Sequence, residues 1–146
     1  MQIALCFKPR TAHAKLPTYE TEGAAGFDLS FDSETTETVF PGKRRLLGTG
    51  VYVGLPVGYE LQVRPRSGRA MKEGLTVLNS PGTIDSDYRG EVKVLIINHG
   101  EEPVVIHPGD RIAQGVVSMV PRLPMVLVDT LDATQRGENG FGSTGN

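Results

Sequence analysis

The chain has 146 residues, 38% of them apolar, with a formal net charge of −2 and a pI near 5.9. That length favours one domain, and without a basic field the chain does not read as a general nucleic-acid binder. No stretch approaches the about 20 apolar residues that span a bilayer, and the opening MQIALCFKPR lacks the basic start and apolar length of a signal peptide.

The first strand expected is Ile3–Phe7. It holds Cys6, the only cysteine, so no intrachain disulfide can form. A lone thiol in the apolar run IALCF reads as buried and inert, and as compatible with a reducing cytoplasm. AGFDLS (Ala25–Ser30) is a polar cluster around Asp28. Strands are then expected at Gly50–Val53 and Tyr59–Val63, where YELQV alternates as a half-buried strand must. RPRSGRA (Arg64–Ala70) follows, with a turn or two of helix around Arg69–Lys72 stopped by Gly74. Gly74–Leu78 reads as a strand. GTIDSDYRGEV (Gly82–Val92) packs two aspartates, a tyrosine, an arginine and a glutamate between apolar segments. Asp85 follows directly on Ile84, where a strand should enter a turn. Val92–Asn98 contains VKVLII, which reads as a strand buried on both faces. Val104–Ile106 and Ile112–Val120 complete the set, with His107 in the turn HPGD between them.

Eighteen glycines and ten prolines cut the chain into these short pieces. Turn chemistry in FPGK, LPVG, SPGT, NHGEEP and HPGD separates them. Many short strands with regular turn signals predict an all-β fold, a jelly-roll-like barrel or sandwich. The expected domain covers 1–133. Residues 134–146, TQRGENGFGSTGN, carry four glycines and one large apolar residue, Phe141. Composition alone reads as a disordered tail. Arg136, Phe141 and the GST turn taken together read as a flexible lid.

Several familiar sites are absent. There is no phosphate-binding G-x-x-x-x-G-K-[ST] and no G-x-S-x-G elbow. His13, His99 and His107 lie far apart without cysteine partners, which excludes the zinc deaminase signature. What remains is a set of polar clusters at strand ends. In RPRSGRA, a glycine beside a serine lets backbone N–H groups approach an anion while Arg66 supplies charge. Ten of the fifteen cationic residues are arginine, which suits bidentate phosphate contacts. GDRIAQ (Gly109–Gln114) ends in an amide able to donate to a phosphate oxygen.

Together, AGFDLS, PRSG, GTIDSDYRGEV, GDRIAQ and RGENGFGSTG resemble, in order and over most of the chain, the five motifs of the homotrimeric dUTPases. The third and fifth are highly specific. The resemblance implies hydrolysis of dUTP to dUMP and pyrophosphate, which limits uracil in DNA and supplies dUMP for dTMP synthesis. It implies that Asp85 is the general base for a water attacking the α-phosphorus. Such a transition state needs positioning and charge neutralisation more than a strong base. Tyr88 is implied to stack under the deoxyribose and leave no room for a 2′-hydroxyl. Asn79, Thr83, Ile84 and Lys93 are implied to surround the uracil and sugar, partly through backbone groups. Arg66, Ser67, Gly68 and Gln114 would grip the triphosphate. Asp28 would hold Mg²⁺ through water, in keeping with that ion's habit of using few carboxylates. Arg136, Phe141 and Ser143 would close over the nucleotide. The implied assembly is a homotrimer whose sites take parts from different subunits.

Two residues depart from the family pattern. Arg69 stands where leucine is usual, and Asn139 stands where glycine is usual. The alternative is a dCTP deaminase, or a bifunctional dCTP deaminase and dUTPase, of the same fold. Its second motif reads R-S-S-x-A-R, whereas this chain has Gly68 and Met71 at the second serine and final arginine. A nucleotide-binding module without catalysis is a rival of another class, and the intact Asp85, Tyr88 and Phe141 set argues against it.

Overall fold

The structure is a computed structural model and describes residues 4–142. Ten strands and one helix follow each other as β1 (Cys6–Pro9), β2 (Gly26–Ser30), β3 (Glu37–Val39), β4 (Arg44–Gly54), β5 (Tyr59–Arg64), α1 (Ser67–Glu73), β6 (Leu75–Val77), β7 (Gly82–Ile84), β8 (Glu91–Asn98), β9 (Val104–Ile106) and β10 (Arg111–Met119). One sheet has the order β1-β4-β8-β6, a second β2-β10-β5-β7, and β3 pairs β9 in a ribbon. Every pairing is antiparallel.

Period-two patterning explains which faces meet. In β5, Leu61 and Val63 are buried while Glu60 and Gln62 lie partly open. In β8, Val92, Val94 and Ile96 are fully buried. These residues join Phe27, Leu29, Val51, Val53 and Ile112 in one apolar core shared by the two larger sheets. Each fully buried Leu, Ile or Val contributes about 1.5–3 kcal/mol. The all-β, jelly-roll-like expectation is met as a layered arrangement, and no sheet closes into a barrel among the described residues.

Two local devices fix the loops around α1 and the end of β8. Helix α1 ends at Gly74, whose φ of +68° and N–H bond to the Ala70 carbonyl make a left-handed stop. A side chain there would also strike the Gly100 backbone. The buried Asn98 side chain donates to the carbonyls of Val39 and Glu102 and accepts from the Gly100 N–H. It thereby ties β8 to β3 and to the turn before β9.

Several expectations change. Cys6 is exposed, not buried. Strand β1 is a sheet edge, and its alternation turns Phe7 inward, edge-on to Phe27, leaving Cys6 on the outer face. Strand β8 is not buried on both faces: Lys93 is exposed, and Leu95 and Ile97 are only half-buried. Strand β4 begins six residues earlier than the expected Gly50, because Arg44–Leu47 pair with β8 despite their polar start. Strands β2 and β3 lie in stretches where polar residues mask the pattern. Ile3 lies outside the described residues. The last strand ends at Met119, and residues 121–142 are exposed and without helix or strand.

Candidate active site

The hairpin from β7 to β8 is built around close backbone approach. A Cβ on Gly82 would stand 3.3 Å from the Val63 Cβ and 3.4 Å from the Asn79 Nδ2, so glycine allows β7 to lie tightly against β5. The chain then turns at Asp85, closed by a Tyr88 N–H bond to the Asp85 carbonyl at 3.1 Å. The Tyr88 ring folds over Gly90, where any side chain would collide with it. Its hydroxyl donates to the Glu91 carbonyl at 2.9 Å. The Arg89 guanidinium donates to the Ser86 and Tyr88 carbonyls at 2.7 and 2.8 Å.

This frame surrounds a cavity of about 180 Å³ lined by Thr83, Ile84, Asp85, Tyr88, Glu91 and Lys93. A neighbouring cavity of about 200 Å³ is lined by Leu46, Val63, Asn79, Gly82, Thr83, Ile84, Lys93 and Leu95. The sequence-predicted residues of the third motif, with Asn79 and Lys93, are therefore brought together. The Asp85 carboxylate is exposed at the cavity rim. Such a place offers apolar walls, backbone donors and acceptors, and one free carboxylate.

A second cluster lies where β2, β10 and β5 run side by side. The register places Asp28 opposite Gln114 and Gln114 opposite Arg64. Two glycines permit this: Gly115 leaves room for the Phe27 ring, and Gly26 leaves room for the Gln114 side chain. Arg66 Nε contacts Asp28 Oδ1 at 2.7 Å, and Arg111 Nη1 contacts Asp28 Oδ2 at 3.1 Å. Gln114 Nε2 donates to the Pro65 carbonyl at 3.0 Å. Ser67 and Gly68 begin α1, exposed, with no side-chain cap and with open space beside the Gly68 Cα. Arg69 pairs with Glu73 at 2.6 Å and lies 3.6 Å from Asp110. Its departure from leucine thus has a local role, joining α1 to the turn before β10.

The two clusters are apart. Gly82 faces Val63 and Ile84 faces Leu61, so the chain beyond Ile84 carries Asp85 toward the start of β5. Arg66 lies past the end of β5. Residues 60 to 66 of extended chain span about 20 Å at about 3.3 Å per residue. The described residues of the tail, 134–142, join neither cluster. Arg136 Nε donates to the Asn139 carbonyl at 2.8 Å, and Gly137 N–H donates to Thr134 Oγ1 at 3.0 Å, making a local turn. Phe141 is fully exposed, with φ of +47°. Ser143 lies outside the described residues.

A family model described as dUTPase matches residues 12–145. The chain belongs to the dUTPase family. It is 54% identical over 147 residues to the deoxyuridine 5′-triphosphate nucleotidohydrolase of Caulobacter vibrioides, an alignment covering 98% of this chain and 95% of that protein. Its fold is similar to that of a point mutant of the dUTPase of phage 80alpha, with a TM-score of 0.89, 26% identity and coverage of 98% and 99% of the two chains. A point-mutant dUTPase from phage phi11 of S. aureus shares the fold at a TM-score of 0.81 and 21% identity, over 89% of this chain and 99% of that one. That structure is described as showing the coordination of a structural Mg(II) ion.

Two residues beside these clusters are given no role by the sequence motifs alone. Arg111 takes the second oxygen of Asp28, and Glu91 sends its carboxylate behind the hairpin. Both lie inside quoted motifs. Their partners come from other strands, so adjacency in sequence does not reveal what they hold.

Proposed function

We infer that this dUTPase hydrolyses dUTP to dUMP and pyrophosphate at a site assembled from the hairpin of one subunit, the phosphate cluster of a second and the tail of a third. The observation that carries the reading is the hairpin. It sets an exposed carboxylate, Asp85, beside a small cavity whose edge is made by the held ring of Tyr88.

Asp85 orients a water for in-line attack on the α-phosphorus and takes its proton. The edge of β7 offers backbone groups to the uracil, and the tight hairpin is the element that would exclude a 5-methyl group. Tyr88 lies under the sugar, where a 2′-hydroxyl would meet the ring. Exclusion by contact suits this task, because an open apolar pocket rejects an added hydroxyl poorly. Asn79, Thr83, Ile84 and Lys93 complete the nucleoside surround. Arg66, Ser67, Gly68 and Gln114 bind the triphosphate, and Arg136, Phe141 and Ser143 close over it.

Asp28 suits a Mg²⁺ held mainly by phosphate oxygens and water. It is a single carboxylate, and no group of three His, Cys, Asp or Glu side chains able to hold a metal gathers among the described residues. When bound, the ion would neutralise phosphate charge. The chain's own part is to present Asp28, and to release Arg66 and Arg111 from it toward the phosphates.

Sharing between subunits is supported by the separation of the two clusters along β5 and by the detached tail. The tail, 134–146, acts as a lid on the 1–133 domain. A reducing cytoplasm suits a chain with one cysteine. No described helix is long and apolar enough to cross a membrane. Deamination of dCTP is not favoured, given Gly68 and Met71 in the second motif.

Pyrophosphate release from dUTP, UTP, dTTP and dCTP tests the reading. Selective turnover of dUTP is expected. Comparable rates with UTP or dTTP would remove the role given to Tyr88 and the tight hairpin, and ammonia released from dCTP would favour the deaminase.

A further inference from the structure

Strand β4 carries an irregularity opposite the hairpin's return strand. Its pairing with β8 passes from Gly48↔Lys93 to Tyr52↔Glu91, four residue steps on β4 against two on β8. The extra residues form a bulge, with Gly50 at φ of +69°. A bulge leaves backbone groups without ladder partners. Here side chains of the neighbouring strand and of the bulge itself take their place. The Gly50 N–H donates to Glu91 Oε1 at 3.0 Å, and the Thr49 hydroxyl donates to the Val92 carbonyl at 2.6 Å. The Gly50 carbonyl accepts from the Arg10 N–H at 2.6 Å.

The Glu91 side chain is only 11% exposed. It fits because Gly48 has no side chain: a Cβ there would stand 2.6 Å from Glu91 Oε1. Its ion pair with the half-exposed Arg10 is long, at 3.8 Å, and such pairs contribute little. The bond to Gly50 is therefore the main anchor of the carboxylate. The same residue holds Tyr88 by its other end, since the Glu91 carbonyl accepts the Tyr88 hydroxyl at 2.9 Å. Glu91 thus connects the rigid bulge of β4 to the ring at the edge of the nucleoside cavity.

We propose that Glu91 is a positioning residue that determines sugar specificity: its carboxylate clamps the return strand to the β4 bulge and so fixes Tyr88 at the height that excludes a 2′-hydroxyl. The proposal rests on the reading of Tyr88 as the floor under the deoxyribose. If the clamp is lost, the Glu91 carbonyl shifts and the ring can settle away from the sugar. The space opened admits UTP, while dUTP still binds.

The test compares kcat/KM for dUTP and UTP in the full-length protein and its Glu91→Ala, Glu91→Asp and Glu91→Gln variants, with Tm measured for each. Glu91→Ala is expected to lower the dUTP:UTP ratio by about tenfold or more, since displacements near 1 Å carry effects of that order. Glu91→Asp, one methylene too short to reach Gly50, is expected to act in the same direction, and it answers the question if the alanine variant does not fold. Glu91→Gln keeps an oxygen that can accept from the Gly50 N–H, and its ratio is expected to stay near that of the unaltered protein. A role in folding alone would lower Tm and both kcat/KM values while leaving their ratio unchanged; that result would overturn the proposal. So would a glutamine variant as unselective as the alanine or aspartate variant. An unaltered protein that turns over UTP as well as dUTP would instead defeat the reading of Tyr88, and is recognised before any variant is made.

Discussion

The two ends of β5 are built by different means. At the proposed nucleoside end, bonds run within one hairpin and involve backbone carbonyls: Tyr88 to Glu91, and Arg89 to Ser86 and Tyr88. At the proposed phosphate end, the groups are charged side chains from β2, the start of α1 and β10, and they already hold one another through Asp28. A neutral base and sugar can be met by a surface that stays as it is. A triphosphate must exchange partners with protein charges on binding. Selectivity should therefore live in the rigid hairpin, and affinity in the rearranging arginines.

The comparison breaks most sharply at Asp85, which belongs to the hairpin end but is proposed to carry the chemistry. Asp85→Asn keeps the shape and loses the base, so kcat is expected to fall by about 10²–10⁴-fold with KM little changed. A near-normal kcat in steady-state assays would place the base elsewhere. At the other end, Arg66→Ala removes a charged hydrogen-bonding partner worth about 1.5–3 kcal/mol. KM for dUTP is expected to rise by about 10–100-fold, and the dUTP:UTP ratio of kcat/KM is expected to stay put. A collapse of that ratio would mean that the two ends are not separable. The smallest effect is that of salt. Raising ionic strength from about 0.05 to 0.2 M shortens the screening length. The dUTP KM is expected to rise a few-fold while the ratio again holds, and a ratio that tracks salt would contradict the division.

The sequence makes one end more legible than the other. The Gly82–Val92 run names its own hairpin, because glycines at Gly82 and Gly90 sit where backbone and ring approach closely. Strand β5 follows from its alternation, β9 from its short apolar run, and the stop at Gly74 follows from glycine's left-handed conformation. Less was visible where tertiary pairing decides. The polar start of β4 is a strand only because β8 lies beside it, and its bulge is tied to β8 through the Glu91 carboxylate and the Thr49 hydroxyl. Cys6 is outward because β1 is an edge whose other face packs through Phe7. The Asp28–Arg111 contact joins residues 83 positions apart, which no local pattern encodes. The tail is a further case. Its motif is plain in sequence, yet in the single chain the described tail residues, Arg136 and Phe141 among them, touch neither cluster.

In the proposed trimer, one working site draws Asp85 and Arg136 from different chains. Two inactive proteins test it: the Asp85→Asn variant, and a truncation after Thr134, which is expected to stay folded and trimeric. Refolding them together in equal amounts gives mixed trimers. A site recovers when its base comes from a truncated chain and its tail from a chain carrying Asp85→Asn, a chance of about one half times one half under random mixing. About a quarter of the sites should then hydrolyse dUTP. If one chain supplies both parts, no site can recover, and mixed trimers that are confirmed by mass yet remain inactive would contradict the shared site.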